Sequence, residues 1–175
     1  VIDTLANTGQ QTLKQFNLKE PIDFVIGNPP YSPITKDIVI DTKDYLFLRN
    51  VKDSGSNLFV AALYRAFELA KTEGTISYII PKNFLHVASY SVLRRMVLNQ
   101  KQVVSIVDIG RYFKNVRGEQ IVITLKNRFA QNNSIEMYKY ENKEFVKKLE
   151  VPQKFFKDEI LIFENEKDFK IYKTL

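Results

Sequence analysis

The sequence predicts an α/β domain, an open sheet with helices laid against it, on three observations. Ile22 to Gly27 is a short apolar run broken only by Asp23, as expected of a strand buried on both faces of a parallel sheet. Leu58, Ala61, Ala62, Arg65, Ala66 and Leu69 recur at helical spacing between Asn57 and Thr72. Thr75 to Ile80 is then β-branched and aromatic and stops at Pro81. In such folds ligands bind just beyond the carboxyl ends of the strands.

Taken in order, the first strand runs into Asn28-Pro29-Pro30-Tyr31 and then into a long polar loop, Ser32 to Ser56, carrying Lys36, Lys43, Arg49 and Lys52. Connections of that length inside a compact domain are uncommon unless functional. Ser56 or Asn57 caps the following helix, and Gly74 ends it. Phe84 to Gln100 reads as a second helix. Val103 to Ile109 and Gln120 to Lys126 read as strands around the loop Gly110 to Glu119, and Ser134 to Tyr140 as a further strand before a tail of short elements.

A chain of 175 residues with 45% hydrophobic and 13% aromatic content can build one core. It has no cysteine and a single histidine, His86, so no disulfide framework, thiolate metal site or histidine cluster is expected. No apolar run approaches the roughly 20 residues a membrane span needs, and the start lacks the layout of a signal peptide. A cytoplasmic protein without membrane contact is expected. The first residue is Val, which suggests an internal piece of a longer polypeptide. The net charge is +6, and residues 129 to 175 hold nine lysines against nine acids, so the excess lies in residues 1 to 128. That excess is compatible with a polyanionic partner, although an excess of this size is more often a solvated surface.

The tetrapeptide after the first strand carries the chemistry. Pro29 and Pro30 fix two φ angles and remove two N–H donors, which leaves the local carbonyls as rigid acceptors. Asn28 adds a carboxamide oxygen and Tyr31 a flat ring. Two acceptors beside a π face suit a planar heterocycle bearing an NH₂ group, with adenine the obvious candidate. The amine lone pair of such a ring is delocalised. Accepting both hydrogens, at the Asn28 side chain and the Pro29 carbonyl, favours a pyramidal nitrogen and turns its lone pair toward an electrophile. Catalysis of that kind is orientation and electrostatic stabilisation without a strong base. A plain turn would use Asn-Pro or Pro-Pro as readily, but would not require the tyrosine.

Asn28-Pro29-Pro30-Tyr31 after an apolar strand resembles the signature of the S-adenosylmethionine-dependent adenine-N6 DNA methyltransferases. Ser56 to Leu85 is similar to the helix, turn and strand that follow it in the TaqI-like and type IIG restriction-modification members, and Val103 to Asn127 to their late strand pair. The resemblance implies part of a Rossmann-like methyltransferase sheet with flanking helices, lacking the first strands. Residues 1–128 would then be the C-terminal part of the catalytic domain, and 129–175 an extension toward a target-recognition domain. It implies that Asn28, Pro29 and Tyr31 hold an adenine swung out of double-stranded DNA. Phe113, with Tyr112 as the alternative, would cover the other face of the base, and Arg111, Lys114 and Arg117 would contact the DNA backbone. Asp3, Pro30 and Leu58 would line the cofactor pocket. Pro81-Lys82-Asn83 reads as structural, with a phosphate contact by Lys82 as the alternative.

The glycines at 9, 27, 55, 74, 110 and 118 include no G-x-G spacing, so the family's glycine-rich cofactor loop is expected upstream, in the remainder of the polypeptide, and the chain alone is expected to be inactive. Two other readings share these residues. One is a methyltransferase acting on protein glutamine or RNA guanine, and the other is a non-catalytic DNA-binding or specificity module on the same scaffold.

Overall fold

The computed structural model describes residues 5–35, 45–113 and 117–174. Six strands form one mixed sheet: β1 (Ile22–Gly27), β2 (Ala70–Pro81), β3 (Gln102–Gly110), β4 (Gln120–Lys126), β5 (Ser134–Glu141) and β6 (Glu144–Pro152), in the order β1-β2-β4-β3-β5-β6. β1 runs parallel to β2 and β3 parallel to β5, while β4 is antiparallel to both of its neighbours and β6 is antiparallel to β5. The carboxyl ends of β1, β2, β3 and β5 therefore point the same way, and the signature leaves from that side.

Five helices accompany the sheet among the described residues: α1 (Gly9–Gln15), α2 (Tyr45–Asp53), α3 (Leu58–Leu69), α4 (Ser91–Gln100) and α5 (Glu166–Lys173). One face of the sheet holds the core. Val25 on β1, Ile76, Tyr78 and Ile80 on β2, Ile121, Ile123 and Leu125 on β4, and Ile135 and Met137 on β5 are buried there with Phe59, Leu63, Leu93 and Val97 of α3 and α4. The opposite face is open, and on it Phe24 and Ile26 are 68% and 80% exposed. β1 is therefore not buried on both faces as its run of apolar residues suggests. It is an outer strand, and no described element covers its second face.

Three other expectations change. The stretch from Ser32 to Ser56 is not all loop, because α2 lies within it. Phe47 and Val51, four residues apart, bury one face of that helix, and Arg49 and Lys52 occupy its exposed side. Lys36 and Lys43 lie outside the described residues. Gly74 does not end α3. The helix stops at Leu69 and β2 starts at once, because the Asn127 side chain donates to the carbonyls of Phe67 at 3.0 Å and Ala70 at 2.7 Å and takes over helix-end acceptors. Gly74 instead lies within β2, where a Cβ would stand 2.8 Å from the Lys71 carbonyl.

The segment 84–100 is two 3₁₀ turns, Lys82–Leu85 and Ala88–Tyr90, followed by α4. Arg94 explains the break. Its buried guanidinium donates to the carbonyls of Phe84 at 2.8 Å, Val87 at 3.0 Å and Asp158 at 2.7 Å, so side-chain donors satisfy carbonyls that a continuous helix would have used itself.

Candidate functional site

The end of β1 is shaped by Gly27 and Tyr78. A Cβ on Gly27 would meet the Tyr78 ring at 3.1 Å, so glycine lets the neighbouring ring lie against the strand just where the signature begins. Asn28 and Pro30 are exposed, and Pro29 and Tyr31 half-buried. The Tyr31 hydroxyl reaches two acceptors, Asn28 Oδ1 at 2.9 Å and the Ile79 carbonyl at 3.1 Å. Burial pushes this hydroxyl up to about 12, so it remains a donor throughout the neutral range. A carboxamide oxygen has two lone pairs. Tyr31 engages one, and among the described residues nothing engages the other on the exposed side chain.

The segment after the signature is fastened to the start of α3. Leu58 N–H donates to the Ser32 carbonyl at 2.9 Å, Ile34 N–H to the Ser56 carbonyl at 3.0 Å, and the Asn57 amide group to the Tyr31 carbonyl at 3.3 Å. The Asn57 side chain also accepts from Phe59 N–H as the helix cap. Asn57 thus ties the signature to the helix, a second role that spacing along the chain did not reveal. Leu58 is half-buried at that junction, which places two of the three cofactor-site candidates, Pro30 and Leu58, on segments joined by hydrogen bonds. Asp3 lies outside the described residues.

The late loop is held at both ends by one side chain. Lys82 Nζ donates to Asp108 Oδ2 and to Glu119 Oε2, each at 2.7 Å, and Lys82 N–H donates to the Glu119 carbonyl at 2.9 Å. Asp108 Oδ1 accepts in turn from Gly110 N–H at 2.9 Å, and Gly110 has a left-handed φ of 58° that turns the chain out of β3. Burial works against the charge on Lys82, but the hydrogen bonds and charges of Asp108 and Glu119 outweigh it and hold the ammonium above its ordinary range. With two carboxylates on its ammonium, Lys82 is structural, and its residue type alone could not distinguish that role from a phosphate contact.

Between those anchors Arg111, Tyr112 and Arg117 are exposed and Phe113 is half-buried. Lys114 lies outside the described residues. Tyr112 and Phe113 meet edge to face at 5.3 Å. Tyr112 lines a cleft of about 340 Å³ floored by Ile79, Ile109 and Val122. Ile79 is the residue whose carbonyl receives the Tyr31 hydroxyl, so the signature and the late loop approach the same position of β2. Tyr140 and Phe145 complete this cleft. Neither was legible beforehand, because β5 and β6 reach it only through sheet pairing.

Comparison with known proteins supplies the family and the fold. Residues 3–116 match the family described as Eco57I restriction-modification methylase. The adenine-specific methyltransferase BrxX of Escherichia coli O9:H4 (strain HS) is 29% identical over 123 residues, covering 70% of this chain and 10% of that protein. Among solved structures, the methyltransferase subunit of a type I restriction-modification system from Streptococcus thermophilus superposes with a TM-score of 0.55 at 19% identity, over 89% of this chain and 32% of that one. The type ISP restriction-modification enzyme LlaBIII bound to DNA gives a TM-score of 0.57 at 16% identity, over 77% of this chain and 11% of that one. The chain spans 10% to 24% of the length of the curated relatives it matches. The six-stranded α/β sheet has the fold of a class I S-adenosylmethionine-dependent methyltransferase, and the chain belongs to the Eco57I restriction-modification methylase family.

Proposed function

We propose that this chain is the base-binding portion of a DNA adenine methyltransferase of a restriction-modification system, acting on the exocyclic amine of an adenine flipped out of double-stranded DNA. The observation that carries the reading is the pairing of an exposed Asn28 carboxamide with a half-buried Tyr31 whose hydroxyl fixes it. The free lone pair of Asn28 Oδ1 accepts one amine hydrogen and the Pro29 carbonyl the other. The Tyr31 ring supports one face of the base, and Phe113 covers the other. Each stacked face contributes roughly 1–3 kcal/mol against the cost of unstacking. Arg111 and Arg117 neutralise backbone phosphates.

S-adenosylmethionine, when bound, supplies the electrophilic methyl group. Pro30 and Leu58 suit one side of its pocket, because both sit where the signature is tied to α3, and Asp3 and an upstream glycine-rich loop would complete it. In this reading residues 1–128 are catalytic and 129–175 lead toward a target-recognition domain, within a longer cytoplasmic polypeptide. The relatives support the substrate class, since one is named an adenine-specific methyltransferase and one solved neighbour is bound to DNA.

The test is Asn28→Ala in the longer polypeptide that contains this chain. Methyl transfer to duplex DNA should be lost while cofactor affinity stays within a few-fold of the parent. Unchanged turnover removes Asn28 from the mechanism, and preference for a glutamine peptide or structured RNA over adenine-containing duplex ends the DNA reading.

A further inference from the structure

We propose that the β5–β6 hairpin forms a second nucleic-acid contact, a stacking shelf made by Tyr112, Tyr140 and Phe145 with Lys143 at its rim, that receives a base flanking the target nucleotide and its phosphate. This rests on the reading of the chain as a DNA-binding methyltransferase portion and extends it to residues outside the signature and the late loop.

Four observations carry it. First, the aromatic rings are continuous. Phe113 meets Tyr112, Tyr112 meets Tyr140 at 5.7 Å, and Tyr140 meets Phe145 at 5.2 Å, so the row leads from the candidate base-covering ring out along the hairpin. Tyr112 and Phe145 remain 56% and 65% exposed, and the cleft of about 340 Å³ between them has room for a planar ring system.

Second, the charge at the rim is free. Lys139, Lys147 and Lys148 of the hairpin are each paired with a glutamate. Among the described residues Lys143 at the tip has no such partner, nor do Arg111 and Arg117 of the adjoining loop. An unpaired cation beside exposed rings is the combination that single-stranded and unstacked nucleic acid uses, the rings for the base and the cation for the phosphate.

Third, Lys143 holds its place against a backbone preference. Asn142 and Lys143 form the two-residue turn between β5 and β6, with φ of 52° and 66°. The second position of such a turn favours glycine. A lysine kept in a left-handed conformation at the lip of a cleft points to use of its side chain.

Fourth, the surroundings do not suit a packed protein layer. Across the open sheet face the next row is Ser77, Thr124, Ser105 and Glu136, in register on β2, β4, β3 and β5, with Ser77 and Thr124 hydrogen-bonded at 3.0 Å. Beside the hairpin that row is polar, and the strongly exposed apolar residues of this face, Phe24 and Ile26, lie on the far strand β1. That fits a small flat ligand better than the broad apolar stripe of a helix.

The test is a fluorescence-anisotropy titration of the 175-residue chain with a labelled duplex carrying one adenine opposite an abasic site, which makes extrusion cheap. Phe145→Ala should weaken binding about 5-fold or more, in line with loss of one stacked base. Lys143→Gly separates function from folding, because glycine relieves the left-handed residue. It should raise the thermal midpoint and still weaken binding by about 2-fold or more, with a shallower salt dependence. Parental affinity in both variants overturns the shelf and assigns the cleft to protein packing. If both shelf variants keep parental affinity while Asn28→Ala weakens binding, the shelf falls and the methyltransferase reading stands. Absence of any duplex binding by the parent chain also overturns the shelf, and leaves the catalytic reading to the longer polypeptide.

Discussion

The hydroxyl of Tyr31 lies 2.9 Å from Asn28 Oδ1 and 3.1 Å from the Ile79 carbonyl. One proton serves two acceptors, so the ring is anchored to β2 while the carboxamide is turned outward. Tyr31→Phe keeps the stacking face and removes the anchor. Loss of one such hydrogen bond is worth about 1 kcal/mol. In the longer methyltransferase the turnover number should therefore fall about fivefold with cofactor affinity unchanged. Tyr31→Ala should fall considerably further because the platform is lost as well. Steady-state kinetics on the two variants separates the contributions, and equal turnover in both would show that the ring does not stack on the base.

Lys82 is the counterpart at the other loop. It joins Asp108, which is 8% exposed, to Glu119 across the base of residues 110–119. Lys82→Met leaves a nearly buried carboxylate without its cation, which should destabilise the chain by about 1–3 kcal/mol. Adding Asp108→Asn to Lys82→Met should recover part of that loss, because the orphaned charge disappears. Denaturant unfolding of the single and double variants measures the coupling, and strictly additive effects would show that the pair is not an interacting unit.

The alkaline limit of stability follows from the same residues. Tyr31 and Tyr78 are both pushed up to about 12 by burial from an ordinary value of 10.0. A group whose folded value is raised stabilises fully below its unfolded value and loses that contribution as pH climbs through the folded one. The contribution is therefore complete below pH 10 and lost between about pH 10 and 12. Lys82 acts in the same sense above its ordinary 10.5, where its bridges to Asp108 and Glu119 are lost. Thermal midpoints should fall as pH rises beyond about 10, and Tyr78→Phe should flatten that fall. A Tyr78→Phe slope identical to the parent's would remove Tyr78 from the effect.

Contiguous features were legible in the sequence and assembled ones were not. Asn28, Pro29 and Tyr31 stand side by side, so their grouping needs no fold to be seen, and the strands at 22–27 and 120–126 announce themselves by β-branched runs with clear stops. Lys82 meets Asp108 and Glu119 across separations of 26 and 37 residues, which leave no periodic trace. α2 was hidden because its polar face dominates its composition and only Phe47 and Val51 reveal the buried one. The break in 84–100 depends on Arg94, whose donors reach back to carbonyls that sequence reading assigns to a helix. At β1 the apolar run correctly signalled a strand but not its exposure, because an alternative of two covered faces has the same composition.

That exposure leads to a last prediction. β1 is an outer strand with Phe24 and Ile26 facing solvent, and among the described residues nothing pairs with the backbone of its far edge. Long apolar edges of this kind recruit other strands. The 175-residue chain should therefore associate as its concentration rises, and Ile26→Lys should suppress the association. The folded core should be unaffected, because Ile26 is 80% exposed and substitutions at such positions change stability by only about 0.5 kcal/mol. Sedimentation velocity across a concentration series provides the measurement, with the thermal midpoint as the control. A parent chain that remains monomeric throughout would show that the twist and charges at β1, including Asp23 paired with Lys71, already protect the edge. If Ile26→Lys instead lowered the midpoint by several degrees, the open face of β1 would have to be packed against something in solution.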